Sequence, residues 1–337
     1  MKKSAFGIVL TLLVLSMSSL VFNAHPVRAN ETIYIRSDGS VDGTDKIQRN
    51  GNIYTFTSNV NGSIFVQRSN IAIDGAGFTL QGSGSGKGID LPERDYVTIR
   101  NMNVKKFTWG IYISSYAYHN NISGNTLIDN YHAIYLTDSA NYNIIAGNTI
   151  TDNLRGIELH EASNYNTISG NNIRNNEYGI ELFGSSTHNS IVENTIENNI
   201  DDGIHLSQSS DNYIYHNSFF NNSDQVYSYN SDNSWDNGYP SGGNYWSDYT
   251  GNDTYSGPNQ NITGSDGIGD TPYIINTNNR DNYPKVQVPT DGGGFNWLIL
   301  VIIIVVAGGA VSAIVLILRM RKRPMPQLPP PPPPRSP

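Results

Sequence analysis

Between Gly110 and Leu206 the chain repeats one small unit: a glycine or alanine, then two apolar residues separated by a single position. The pairs are Ile111/Ile113, Ile134/Leu136, Ile157/Leu159, Ile180/Leu182 and Ile204/Leu206, following Gly110, Ala133, Gly156, Gly179 and Gly203. Alternation with period two places one residue inward and the next outward, which predicts a short strand. Two further sets travel with the first. Ile122, Ile145, Ile168, Ile191 and Ile214 form one, and Leu127, Ile150, Ile173, Ile196 and Phe219 the other. Each repeat therefore holds three short strands.

Asparagine sets the period. One column runs Asn120, Asn143, Asn166, Asn189, Asn212. A second runs Asn125, Asn148, Asn171, Asn194, Asn217, and a third Asn130, Asn153, Asn176, Asn199, Asn222. All three advance by 23 residues. A leucine-rich repeat falls in this range of periods but needs a leucine scaffold and a different return segment. Here every segment is β-branched and turn-rich. The expected fold is all-β, a right-handed parallel β-helix of about 23 residues per coil, its coils stacked at the ~4.8 Å spacing of paired strands. The asparagines are expected at the corners, where Asn tolerates left-handed φ and bonds its own backbone or the next coil.

The same order continues less regularly upstream through Ile71/Ile73, Phe78/Leu80, Ile89/Leu91 and Val97/Ile99. Residues 30–62 read as an N-terminal cap, 63–233 as the solenoid and 234–283 as an aromatic, turn-rich C-terminal cap. Caps are required because the open ends of such a helix expose unpaired strand edges. A Pro/Gly linker, 284–294, follows.

The two ends carry a different pattern. Lys2 and Lys3 precede an apolar run, and Val27-Arg28-Ala29 supplies small residues at a cleavage spacing, so 1–29 reads as a signal peptide. Residues 295–318 contain no charge and are long enough to cross the ~30 Å hydrocarbon core as one helix. Arg319, Arg321, Lys322 and Arg323 follow at once, which keeps that end in the cytoplasm. The expected localisation is the cell membrane, single-pass, with the solenoid outside and the basic, proline-rich tail 319–337 inside. The chain has 337 residues, no cysteine and a formal charge of −8. Disulfides and thiolate metal sites are thereby excluded, and no concentration of positive charge favours nucleic acid as a partner. Sequons begin at Asn30, Asn61, Asn121, Asn221, Asn252 and Asn261.

The Asn-rich coils, followed by Gly243-Asn-Tyr-Trp-Ser-Asp-Tyr249 and Asp266-Gly-Ile-Gly-Asp-Thr-Pro-Tyr273, resemble the NosD-like family of periplasmic copper-binding β-helix proteins, in an archaeal cell-surface form. The resemblance covers roughly 53–283, and the repeat itself is shared with pectin-lyase-like folds. It implies copper. A copper site wants clustered His, Met or Cys. Between leader and anchor the chain offers only Met102, and His119, His132, His160, His188, His205 and His216 fall in mostly different columns.

The outward position of the first strand reads Tyr112, Tyr135, Glu158, Glu181, His205 down five coils. Aromatic faces beside carboxylates suit a sugar chain, and stacked Glu158 and Glu181 resemble a retaining glycosidase pair in spacing. Asp138 and Glu161 form a second stacked pair. A solvated polar face explains the same positions more simply. Asp201-Asp202-Gly203 resembles the paired aspartates of pectin-cleaving hydrolases, without the accompanying motifs; Arg155 and Arg174 face no evident acidic trio. Asp266 and Asp270 lie in a glycine-turn run whose oxygen ligands suit calcium. The leading expectation is a non-enzymatic surface β-helix, in surface structure or in contact with glycans and other cell-surface molecules. A polysaccharide lyase or glycoside hydrolase on the same fold and a copper-handling accessory of a membrane transporter are the alternatives.

Overall fold

A computed structural model describes residues 31–287 together with 306–307 and 310–311. The segments expected as signal peptide, membrane helix and tail lie outside the described residues, apart from a short antiparallel pairing of Val306–Ala307 with Ala310–Val311. Among the described residues no helix is long and apolar enough to cross a membrane.

The unit Met1–Thr290 contains the expected parallel β-solenoid. Three sheets run its length. Sheet 1 holds Trp109–Ser114, His132–Leu136, Arg155–Leu159, Tyr178–Phe183, Asp202–Ser207 and Asp224–Tyr229, each pairing in parallel with the next. Sheet 2 holds Asn121–Ser123, Ile144–Ala146, Thr167–Ser169, Ser190–Val192 and Tyr213–Tyr215 within a nine-stranded array. Sheet 3 holds Thr126–Ile128, Thr149–Thr151, Asn172–Arg174, Thr195–Glu197 and Ser218–Phe220. Upstream, Glu31–Ile35 pairs in parallel with Val60–Val66, so a rung of sheet 1 already lies within the stretch read as a cap.

Register follows the sequence columns. Ile134 pairs with Ile157, Ile145 with Ile168 and Ile150 with Ile173, and all six side chains are fully buried. The small residue opening each repeat answers a close approach. A Cβ on Gly110 would lie 2.6 Å from the Ala133 carbonyl oxygen, and one on Gly203 would lie 2.7 Å from that of Gln225.

The asparagines bond the next coil as expected, but the left-handed φ is not theirs. They are buried, and the left-handed residue is the one before each: His119, Tyr142, Tyr165 and His188 precede the first column, all with φ of 57°. Each Asn turns its side chain along the stack. Asn148 Oδ1 accepts both the backbone N–H (2.9 Å) and the Nδ2–H (3.1 Å) of Asn125 one coil earlier, while its own Nδ2 donates to Ile122 O at 2.9 Å. Amide geometry explains the choice, since only Asn supplies acceptor and donor at this reach within a tight bend.

The C-terminal cap closes the last coil. Tyr245–Trp246 adds a further parallel rung beside Ser218–Phe220. Trp246 stacks on Phe219 at 4.4 Å and on Tyr273 at 4.2 Å. Buried Asp281 accepts from Trp246 Nε1 and Asn244 N, and Asn279 accepts from Trp235 Nε1. Burial pushes the Asp281 carboxyl up to about 7 despite these donors.

Candidate functional site

The outer face of sheet 1 gathers the candidate residues. Its central column runs Asp90, Tyr112, Tyr135, Glu158, Glu181, His205, Tyr227, with each residue in register with the next. The five residues singled out from the sequence are therefore consecutive rungs. Tyr112 and Tyr135 stack with ring centres 5.5 Å apart, and His205 stacks on Tyr227 at 4.7 Å.

A second column, three residues back along each strand, supplies what the sequence reading did not use. It holds Lys87, Trp109, His132, Arg155, Tyr178, Asp202 and Asp224, and it closes over the carboxylates beside it. His132 Nδ1 lies 2.8 Å from Glu158 Oε2. Arg155 Nε lies 2.6 Å from Glu181 Oε2 and 3.9 Å from Glu158 Oε2. His205 Nδ1 lies 2.7 Å from Asp202 Oδ2.

One expectation is corrected here. Glu158 and Glu181 are not on a solvated face: they are 6% and 1% exposed. Arg155 faces two carboxylates, one on its own strand and one on the next coil. Tyr112 and Tyr135 are half-buried. The cause is lateral. Long side chains on adjacent columns cover one another across a flat sheet, so an outward position is not a wet one.

Burial sets the electrostatics. Desolvation pushes Glu181 up to about 8, against the pull of Arg155, with Glu158 adding to the rise. Tyr135 is pushed up to about 12 by burial and by Glu158. Burial also raises Asp90, although Lys87 sits 3.1 Å away and over the Tyr112 ring. In the turn beyond the strands, Asp138 and Glu161 do meet. Their mutual hydrogen bond raises Asp138 and lowers Glu161.

Asp266 and Asp270 fall in the cap loop and are engaged by its own donors. Asp270 accepts from Thr254 Oγ1 (2.6 Å), Thr254 N and Tyr255 N, which hold it below the usual carboxylate range. Asp266 accepts from Gly257 N and Ile268 N. Among the described residues, the carboxylates that converge are Asp201, Asp202 and Asp224, within 4.8 Å of one another.

The family model described as "Periplasmic copper-binding protein (NosD)" matches residues 15–200 and 79–251. The chain belongs to this family. No curated protein sequence matches it. Solved structures of the periplasmic alginate epimerase AlgG are similar to the NosD-family chain over half its length, at 20% identity and a TM-score of 0.42. A variant of that epimerase gives 18% and 0.40. The chain spans 39% of the length of both. The copper in the family's description does not fit the donors of this member. Met102 is sealed in the core at 2% exposure. His119 and His188 are separated by the stacked rings of Tyr142 and Tyr165. His132 and His205 each direct Nδ1 to a carboxylate. Among the described residues the one convergent trio is all carboxylate, a donor set for hard cations rather than copper.

Proposed function

We propose that this NosD-family chain is a membrane-anchored, extracytoplasmic β-helix whose sheet 1 outer face binds an extended glycan chain, without catalysing its conversion. The observation that carries the reading is the central column. From Tyr112 to Tyr227 it presents six rungs at the ~4.8 Å inter-strand spacing, a strip of roughly 24 Å. Rings occupy both ends of the strip, and in its middle Arg155 and His205 are the part-exposed polar groups while Glu158 and Glu181 are buried. Ring edges and faces accept the C–H surfaces of sugars, and the part-exposed N–H groups receive hydroxyls; such mixed apolar and polar lining is usual in ligand sites. The signal-like leader and the uncharged segment 295–318 support placing this face outside the cell.

The test is titration of the full chain in detergent against oligosaccharides, followed by the Tyr112→Ala/Tyr135→Ala double variant. Saturable binding by the parent, lost in the double variant, is the expected result. Binding that survives the double substitution would remove sheet 1 from consideration.

A further inference from the structure

Sheet 1 has an unusual charge economy. Its strands, and the position immediately after each, carry six basic side chains among the described residues, and every one is matched to a carboxylate. Arg36 lies 2.6 Å from Asp42, and Lys87 lies 3.1 Å from Asp90. His132 pairs with Glu158 at 2.8 Å and Arg155 with Glu181 at 2.6 Å. His160 approaches Glu161 at 3.7 Å and His205 approaches Asp202 at 2.7 Å. Asp224, close to Asp201 and Asp202, adds further negative charge.

We infer that this face selects uncharged glycans and rejects uronate-bearing ones; the inference rests on the glycan reading above. A sugar carboxylate entering the strip needs a cation to replace its water. Each candidate cation here is already committed to an internal anion, and releasing it would strand a carboxylate that is buried in the cases of Glu158, Glu181 and Asp202. Arg155 stays engaged in either state of Glu181, because Glu158 also lies within 3.9 Å of it. Neutral hydroxyls meet no such obstacle, because they accept from the part-exposed N–H groups of Lys87, Arg155 and His205 without displacing the carboxylates paired to them.

Uronate rejection should therefore be relieved by freeing a cation. Lys87 is the choice at the ring end of the strip, being paired to Asp90 and lying 3.6 Å from the Tyr112 ring centre, so Asp90→Asn leaves an ammonium beside the strip. The Glu158→Gln/Glu181→Gln double variant does the same for Arg155 at the centre by removing both of its carboxylates, and provides a second variant should either fold poorly.

The experiment titrates the full chain in detergent with cellohexaose, a glucosamine hexamer and hexagalacturonate at fixed pH and salt. The parent is expected to bind the neutral hexamer at least roughly tenfold more tightly than the uronate. In Asp90→Asn or Glu158→Gln/Glu181→Gln the ratio of uronate to neutral affinity is expected to rise several-fold, and added salt should shrink that gain. Uronate binding equal to or tighter than neutral binding in the parent would overturn this inference while leaving the glycan reading intact. Preference for the glucosamine hexamer over the neutral one would overturn it too, by showing that negative charge governs selection. No binding of any hexamer would overturn the glycan reading and this inference with it.

Discussion

The Arg155 guanidinium and the Glu181 carboxylate, on strands one coil apart, meet at 2.6 Å on the outside of the solenoid in a site where Glu181 is 1% exposed. Ion pairs at outward sheet positions usually sit in water and contribute little. This one is sealed by its neighbours, so its protonation is coupled to folding.

The sign of that coupling is set by the direction of the shift. Glu181 is raised to about 8 and Asp281 to about 7, both above the ordinary carboxyl range. A raised acid binds its proton more tightly when folded, so its contribution is present at low pH and is lost as pH rises from the unfolded value through the folded one. Thermal stability of the full chain should therefore fall between about pH 5 and pH 8.5. Glu181→Gln should flatten that fall. A melting temperature that climbed over this range in the parent would contradict the burial of both groups.

The asparagine ladder makes a second prediction. Asn171 Oδ1 accepts from Asn148 N and Nδ2, and its Nδ2 donates to Ile145 O. Asn171→Ala removes all three bonds from the buried ladder, leaving Asn148 Nδ2 only its bond to Ile122 O, and should destabilise by roughly 2–4 kcal/mol. Asn172, whose strand position points outward, is the control: Asn172→Ala should cost well under half as much. Equal losses, measured by denaturant unfolding, would count against the ladder.

Tyr112 and Tyr135 are stacked and half-buried, so their replacement has a structural cost as well as a binding one. The double Ala variant should lose about 0.5–1.5 kcal/mol of ring–ring energy beyond lost burial, while keeping the fold. Its circular dichroism spectrum should match the parent. A spectrum without β-structure would make the pair part of the scaffold rather than of a recognition strip.

At the cap, Asp281→Ala removes the acceptor of Trp246 Nε1 and Asn244 N together. Opening that end exposes the edge of the last rung, and exposed edges template association. The variant is expected to aggregate at temperatures where the parent stays monodisperse by light scattering. Asp281→Asn, which keeps one oxygen acceptor, should fall between them.

Topology is open to a protease experiment on intact cells. A tag placed after Arg323 should be protected from added protease, and one near Gly293 should be cut. The reverse pattern would overturn the orientation drawn from the basic cluster 319–323.

The interior was readable from the sequence almost position by position, because a buried isoleucine column needs only apolar identity and a fixed period. Ile157, Ile168 and Ile173 all point inward as the pattern requires. The asparagine columns were visible too, but not their burial. A period says that residues align, not whether an amide faces water or its counterpart in the next coil. At the candidate site the central column was found and its environment was missed. Burial of Glu158 and Glu181 depends on His132, Arg155 and Tyr178 in a neighbouring column, and His205–Asp202 is a three-residue spacing that an alternation rule passes over. Asp266 and Asp270 illustrate the opposite difficulty: a glycine-rich acidic run has the same appearance whether its oxygens face a cation or, as here, accept N–H and O–H bonds from the loop they fold.

The three asparagine chains also restrict how such a molecule can change size. Each amide is read by the one a single turn away, so a segment inserted or deleted keeps the chains continuous only if it is a whole turn long or is taken up between the corners, as where Asn212 reaches Asn233 after 21 residues and Asn217 reaches Asn244 after 27. The strands of sheet 1 tolerate slack: Ile180 pairs with Ile204 and Ile204 with Val226, one residue over and then one under the period. Across the same interval Asn176 still bonds Asn199 and Asn199 still bonds Asn222, each 23 residues on. The extra residue is expelled at Ile200, left 70% exposed. Length in this architecture is thus a discrete variable, and a lineage that lengthens or shortens the strip must do so in steps of one turn, each moving the far cap by a single inter-strand distance.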